Sequence, residues 1–280
     1  MAANEVLFGI KRLGLKISAK SWNQGNNFKA LALHGWLDNA NSFDLVAQNL
    51  GEVHTLAVDL PGHGHSDHLA KSSNYTVLAC VEQVILLIEE NDWSDLILIG
   101  HSLGACIASL VVSSIPDRIK KIVLIEGVGP FPLKKELVEQ FCHYIKFSRR
   151  QAYKTSPVYA SIEEAAKIRC QRSNVDYPSA LLLAKRGTKK TPYGYIWRTD
   201  PRLLFPPSYS LTEEQTLGFL AKISCPSLYI QGREGFFVDS DFMKERLAVV
   251  KDITTKTLPG GHHLHLEYPE VVAQTIKEFL

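Results

Sequence analysis

Gly100-His101-Ser102-Leu103-Gly104 is a G-x-S-x-G pattern set between an apolar run, Leu96 to Ile99, and a helical segment. A sharp strand-to-helix turn holds such a serine in strained backbone geometry, and the flanking glycines remove side chains that would clash there. The turn lifts the hydroxyl clear of a sheet. It also aims the unpaired N–H groups at the start of the next helix toward the reacting oxygen. The chemistry that suits this arrangement is nucleophilic attack followed by acyl transfer. A bare G-x-S-x-G arises by chance in about one chain of this size in ten, so the flanking elements and a matching base carry the argument.

A serine hydroxyl is a weak nucleophile at neutral pH and needs a base beside it. The stretch Gly260 to Pro269 offers three candidates, His262, His263 and His265. A second cluster, His63-Gly64-His65-Ser66-Asp67-His68, has the H-x-H-x-D-H form of a dinuclear zinc site. In that alternative, His63, His65, Asp67 and His68 would hold two metals that activate water.

These residues sit in a regular alternation. Glu5 to Trp22 alternates apolar and polar residues as an antiparallel edge pair does. Short apolar strands follow at Phe28 to Leu33, Val53 to Leu60, Leu96 to Ile99 and Lys121 to Ile125, with a buried helix at Tyr75 to Glu90. The tail repeats the rhythm: strand at Ser227 to Ile230, helix at Asp239 to Val250, strand at Ile253 to Leu258, helix at Pro269 to Leu280. Strands alternating with helices imply a mostly parallel sheet covered on both faces. Residues 131–211 break the rhythm, being richer in aromatic, basic and proline residues, and read as helices with irregular connections. The expected organisation is a core of 1–130 and 212–280 with a helical cap at 131–211 lying over the strand ends.

With these motifs the chain resembles the α/β-hydrolase superfamily along nearly its whole length. The matching segments are His34-Gly35, the turn Asp59-x-Pro61-Gly62-x-Gly64-x-Ser66, the Ser102 turn, and Gly261-His262 near the end. Within it, Leu124-Ile125-Glu126-Gly127 and the Gly-Gly-His-His-x-His-Leu ending look most like the serine hydrolase-like proteins. The resemblance implies an eight-stranded, mostly parallel α/β-hydrolase fold with Ser102 as nucleophile. It implies His262 as base, since it follows Gly261 and has Glu267 five positions on; His263 is the runner-up, and His265 packs or hydrogen-bonds at the next helix entry. Relatives usually carry an aspartate after the strand matching Ser227 to Ile230, but here that position is Gly235. Two acids could substitute, Glu126 and Glu234. Glu126 is preferred, because a carboxylate at the carboxyl end of a central strand points where active sites form. Backbone N–H groups of Leu103 and Trp36 would bind the oxyanion, and Gly35 and His101 would contact substrate. The same Asp59 to Ser66 turn accounts for the neighbours of His63 and His65 that the zinc alternative leaves unexplained.

The 280 residues suffice for one large α/β domain that holds a core without metal or disulfide staples. Net charge is +2 with no block of like charge beyond pairs such as Lys134-Lys135 and Arg149-Arg150, which gives no electrostatic case for nucleic acid. Five scattered cysteines without a C-x-x-C read as free thiols in a reducing compartment. No leader or membrane-spanning run is legible, so the expected location is cytoplasmic. No cofactor is called for; the partner is a small-molecule substrate. The aromatics Phe141, Tyr144, Phe147, Tyr153, Tyr159 and Trp197 suggest an apolar acyl or aryl group, or packing between cap helices. A third reading is a hydrolase scaffold that only binds its ligand.

Overall fold

The structure is a computed structural model that describes residues 3–25, 28–51, 53–132, 136–151, 156–173, 175–238 and 240–280. Eight strands build the main sheet: β1 (Asn4–Ile10), β2 (Leu15–Trp22), β3 (Phe28–Leu33), β4 (Val53–Val58), β5 (Leu96–His101), β6 (Ile119–Ile125), β9 (Ser227–Gly232) and β10 (Ile253–Leu258). A separate hairpin pairs β7 (Thr188–Thr191) with β8 (Gly194–Trp197). The sheet order is β1-β2-β4-β3-β5-β6-β9-β10. β1 and β2 pair antiparallel, as does β2 with β4; every other pair in the main sheet is parallel.

Alternation along the central strands feeds two cores. Leu31, Leu33, Leu98, Ile122 and Leu124 face one side, while Ala30, Ala32, Ile97, Ile99, Val123 and Ile125 face the other. The first side is covered by α2 (Val77–Glu90), α3 (Leu103–Ser114), α7 (Glu213–Leu220) and α8 (Asp241–Ala248). The second is covered by α1 (Asp44–Asn49), α9 (Leu264–Glu267) and α10 (Pro269–Phe279). A strand buried on both faces reads as a continuous apolar run, which is why these segments are legible in the sequence. The helix expected from Asp239 begins at Asp241; Asp239 itself lies outside the described residues.

Between β6 and α7 lie α4 (Leu137–Gln151), α5 (Ile162–Arg172) and α6 (Tyr177–Gly187), then the β7–β8 hairpin. Ser161 and Asp176 cap α5 and α6 by accepting the N–H groups of Glu164 and Ser179. Ala166, Val175, Ala180, Leu183 and Ala184 form a small core of their own with Leu266. The hairpin differs from the all-helical reading of 131–211. It joins Thr188–Thr191 to Tyr195, Ile196 and Trp197, β-branched and aromatic residues that favour strand, through a Pro192-Tyr193 connection that ends at Gly194, with φ +132°. Arg186 of α6 fastens this segment to the sheet: its Nε donates to both oxygens of the buried Asp59, at 3.0 and 2.9 Å.

Candidate active site

Ser102 stands between the last residue of β5 and the first of α3, with φ +51° and ψ −115°. A non-glycine residue there carries strain of about 1–3 kcal/mol, held in place by the surrounding structure. The Ser102 N–H donates to Ile125 O at 2.9 Å. Gly104 lets α3 start against the sheet, since a Cβ there would collide with the Leu33 carbonyl.

His262 lies on the loop after β10. Its Nε2 is 3.0 Å from Ser102 Oγ, and its Nδ1 is 3.2 Å from Glu126 Oε2. A carboxylate only accepts, so Nδ1 carries the proton and Nε2 is free to accept from the serine. Glu126 is fully buried one residue past β6, with φ +53°. Its carboxylate also accepts the N–H groups of Gly232 at 2.7 Å and Phe236 at 3.3 Å, both from the end of β9 and its loop. A Cβ at Gly235 would stand 2.7 Å from Glu126 Cδ. The carboxylate that arrives from β6 thus fills the space a side chain at 235 would need. The Phe236 ring stacks on His262, with centroids 4.4 Å apart.

Other candidates fall elsewhere. Glu234 is exposed, and its N–H turns back to Gly260 O at 3.1 Å. Glu267 is half-buried beside the Gly261 N–H, and burial raises its pKa. His263 is buried against His262, with ring centroids 5.1 Å apart. His265 packs as expected, its Nε2 2.7 Å from Ser42 Oγ.

His101, expected to contact substrate, does not line the Ser102 cavity. It is 1% exposed, beneath the nucleophile, and its Nε2 donates to the backbone carbonyl of His262 at 2.9 Å. Burial and the neighbouring histidines lower its pKa well below the usual range, so the ring is neutral. Gly35 is packed on that same ring, where a Cβ would lie 2.8 Å from His101 Nδ1, and its role is to make room for it.

The zinc alternative is overturned by where its side chains point. His63 is buried, with Nδ1 on Pro61 O and Nε2 accepting the Leu37 N–H at 3.3 Å; burial pushes its pKa down to about 3. Asp67 accepts the Lys16 N–H at 2.9 Å, and His68 bonds Arg198 O at 2.8 Å. His65 is exposed. Gly62 turns the chain just before the four and Gly64 turns it between His63 and His65, at φ +80° and +50°.

Ser102, Leu103 and Trp36 line one cavity of about 620 Å³. Its other walls are mostly apolar, among them Phe147, Phe205, Tyr209 and Leu211. Leu103 is the first residue of α3, where a helix offers no internal acceptor for the N–H. Phe147 belongs to this cavity and Tyr159 and Trp197 to a second one; Tyr144 instead donates to Asn74 Oδ1 at 2.6 Å. Phe141 is exposed, and Tyr153, like Lys134 and Lys135, lies outside the described residues.

The loop that carries Trp36 is held from the 131–211 segment. Arg169 of α5 donates Nη1 to Leu37 O at 2.7 Å and Nη2 to Asp38 Oδ1 at 2.5 Å. Trp36 Nε1 donates to Leu203 O, and Asn39 Nδ2 to Leu183 O, each at 2.9 Å. Leu37 has φ +62°, so this clamp secures a strained turn. Burial alone would raise the Asp38 carboxyl, but Arg169 and the nearby histidines outweigh it and hold the pKa low. Sequence reasoning missed Asp38 and Arg169, which are 131 residues apart and share no motif.

The chain is similar to known proteins over most of its length. Residues 31–269 match the family described as alpha/beta hydrolase fold. A probable serine hydrolase of Drosophila melanogaster is 30% identical, over 94% of this chain and 84% of that protein. A serine hydrolase-like protein of Dictyostelium discoideum is 29% identical, over 95% and 79%. A solved hypothetical protein from Pseudomonas aeruginosa is 32% identical with a TM-score of 0.92, over 98% of both chains. The thioesterase domain from the curacin biosynthetic pathway is 25% identical with a TM-score of 0.84, over 99% of this chain and 100% of that one. The chain belongs to the α/β hydrolase fold family.

Proposed function

We propose that this serine hydrolase-type α/β protein is a carboxylic ester hydrolase acting by two-step acyl transfer. The observation that carries the reading is the hydrogen-bonded series Ser102, His262, Glu126, with the acid reaching in from β6 to the space left open at Gly235. Ser102 Oγ attacks the ester carbonyl as His262 Nε2 takes its proton. The Leu103 and Trp36 N–H groups bind the oxyanion, and His262 returns the proton to the leaving alcohol. Water, deprotonated by the same nitrogen, then releases the acid. Glu126 keeps His262 in the working tautomer and stabilises the imidazolium without taking the proton. Residues 131–211 act as the cap over a core of 1–130 and 212–280, and the mostly apolar cavity suits a small or medium apolar acyl group.

The test is turnover of p-nitrophenyl acetate and butyrate together with labelling by a fluorophosphonate probe. Native protein should turn over both esters with or without a chelator and take label on Ser102. Ser102→Ala should do neither. Native protein that takes no label overturns the reading.

A further inference from the structure

A second cavity, of about 640 Å³, opens on the other side of Leu204 and Phe205, which also wall the Ser102 cavity. Leu37, the residue after Trp36, is among its lining residues. Its lining holds three guanidinium groups, Arg169, Arg172 and Arg202, against one carboxylate, Asp200. Two of the three are occupied. Arg202 Nε and Nη2 donate to the Asp200 carboxylate, Nη2 at 2.6 Å from Oδ2, while Nη1 and Nη2 also meet the carbonyls of Ala70, Ser73 and Leu69. Arg169 clamps Leu37 and Asp38 through Nη1 and Nη2, which leaves only its buried Nε without a partner.

Arg172 differs: it is exposed at the end of α5 and has no hydrogen bond or ion pair among the described residues. Its place in the last helical turn accounts for a positive charge, but not for a cavity beside it. Trp197 and Tyr159 add flat apolar faces to the same walls. A fork of free donors next to aromatic walls is chemistry for a carboxylate or phosphate on a planar or apolar group.

We propose that this second cavity binds an anionic group carried on the leaving half of the substrate. The assignment to the leaving half rests on the ester-hydrolase reading. The acyl half then lies in the mostly apolar cavity at Ser102, and the leaving half runs past Leu37 toward Arg172.

Two measurements on the full chain test it. Calorimetry with phenyl phosphate reads the site without turnover, comparing native protein with Arg172→Gln. Native protein should bind phenyl phosphate and not phenol, and the variant should bind about tenfold more weakly. Kinetics with phenyl butyrate and 3-carboxyphenyl butyrate reads the substrate half. Native kcat/KM should favour the carboxylated ester, and Arg172→Gln should lower that preference ratio about tenfold. No binding of phenyl phosphate, or binding indifferent to Arg172, overturns the proposal. Binding through Arg172 with equal turnover of the two esters overturns the substrate assignment and leaves a site for a free anion. Binding through Arg172 with neither ester turned over supports the anion site and overturns the ester reading alone.

Discussion

At the carboxyl ends of β6 and β9, two neighbouring loops could each present an acid to His262, and they do so unequally. The β6 end supplies Glu126, fully buried, in a left-handed backbone conformation, with its carboxylate on His262. Among the described residues, the β9 end supplies no acid to the histidine: Glu234 turns out to solvent and Gly235 has no side chain. Yet that second loop still contributes, because the N–H groups of Gly232 and Phe236 hold the Glu126 carboxylate. One loop brings the charge and the other fixes it. The same division recurs nearby, where Arg169 holds the Trp36 loop and His101 holds the His262 backbone.

The largest effect should come from exchanging the two loops' roles. Glu126→Gly should lower kcat for p-nitrophenyl butyrate by about four orders of magnitude, as loss of a tautomer-setting acid does. Adding Gly235→Asp to that variant should recover at least about tenfold, an amount set by how well the shorter side chain reaches His262. The backbone at 235 lies outside the left-handed region, and the group it would strike is the carboxylate that has been removed. A double variant no faster than Glu126→Gly would show that the two loop ends are not interchangeable.

A smaller effect should follow from loosening a group held by a distant partner. Arg169→Gln should lower kcat about tenfold to a hundredfold, because a misplaced Trp36 N–H loses part of what one oxyanion donor supplies. KM for a neutral ester should move less than kcat. If KM rises and kcat does not, Arg169 shapes the cavity and not the oxyanion loop.

Glu126 was readable because the sequence shows both an acid at a strand end and a glycine where relatives carry an aspartate. Ser102 and His262 were readable for a similar reason, each lying in a short motif next to an apolar strand. The sheet followed from apolar runs that fill two cores. What escaped reading depends on contacts between distant residues. Nothing local pairs Asp38 with Arg169, and the histidine in Gly100-His101-Ser102 gives no sign that it points inward. The β7–β8 hairpin did carry a signal, Thr-Lys-Lys-Thr-Pro-Tyr-Gly-Tyr-Ile-Trp, but it lies in a segment whose composition suggests helices.

A different effect, on stability and not on rate, comes from the histidines packed below the site. His34, His63, His101 and His265 are fully buried, and burial lowers the pKa of each, that of His63 to about 3. The unfolded chain takes up these protons near pH 6.5, whereas the folded chain resists until much lower. Stability is therefore complete above about 6.5 and lost as pH falls, by up to about 1.4 kcal/mol per pH unit for each histidine. Urea midpoints at pH 7, 6 and 5 should fall steadily, and His63→Asn should flatten the slope. An unchanged slope would mean that His63 takes up its proton in the folded state as readily as in the unfolded one.

The most direct measurement is p-nitrophenyl butyrate turnover for Glu126→Gln beside Glu234→Gln, each against native protein at one pH. An acid that reaches His262 from β6 predicts a loss of about four orders of magnitude in kcat for Glu126→Gln and a rate within about twofold of native for Glu234→Gln. Collapse with Glu234→Gln and near-native turnover with Glu126→Gln would contradict it and move the acid to the β9 loop.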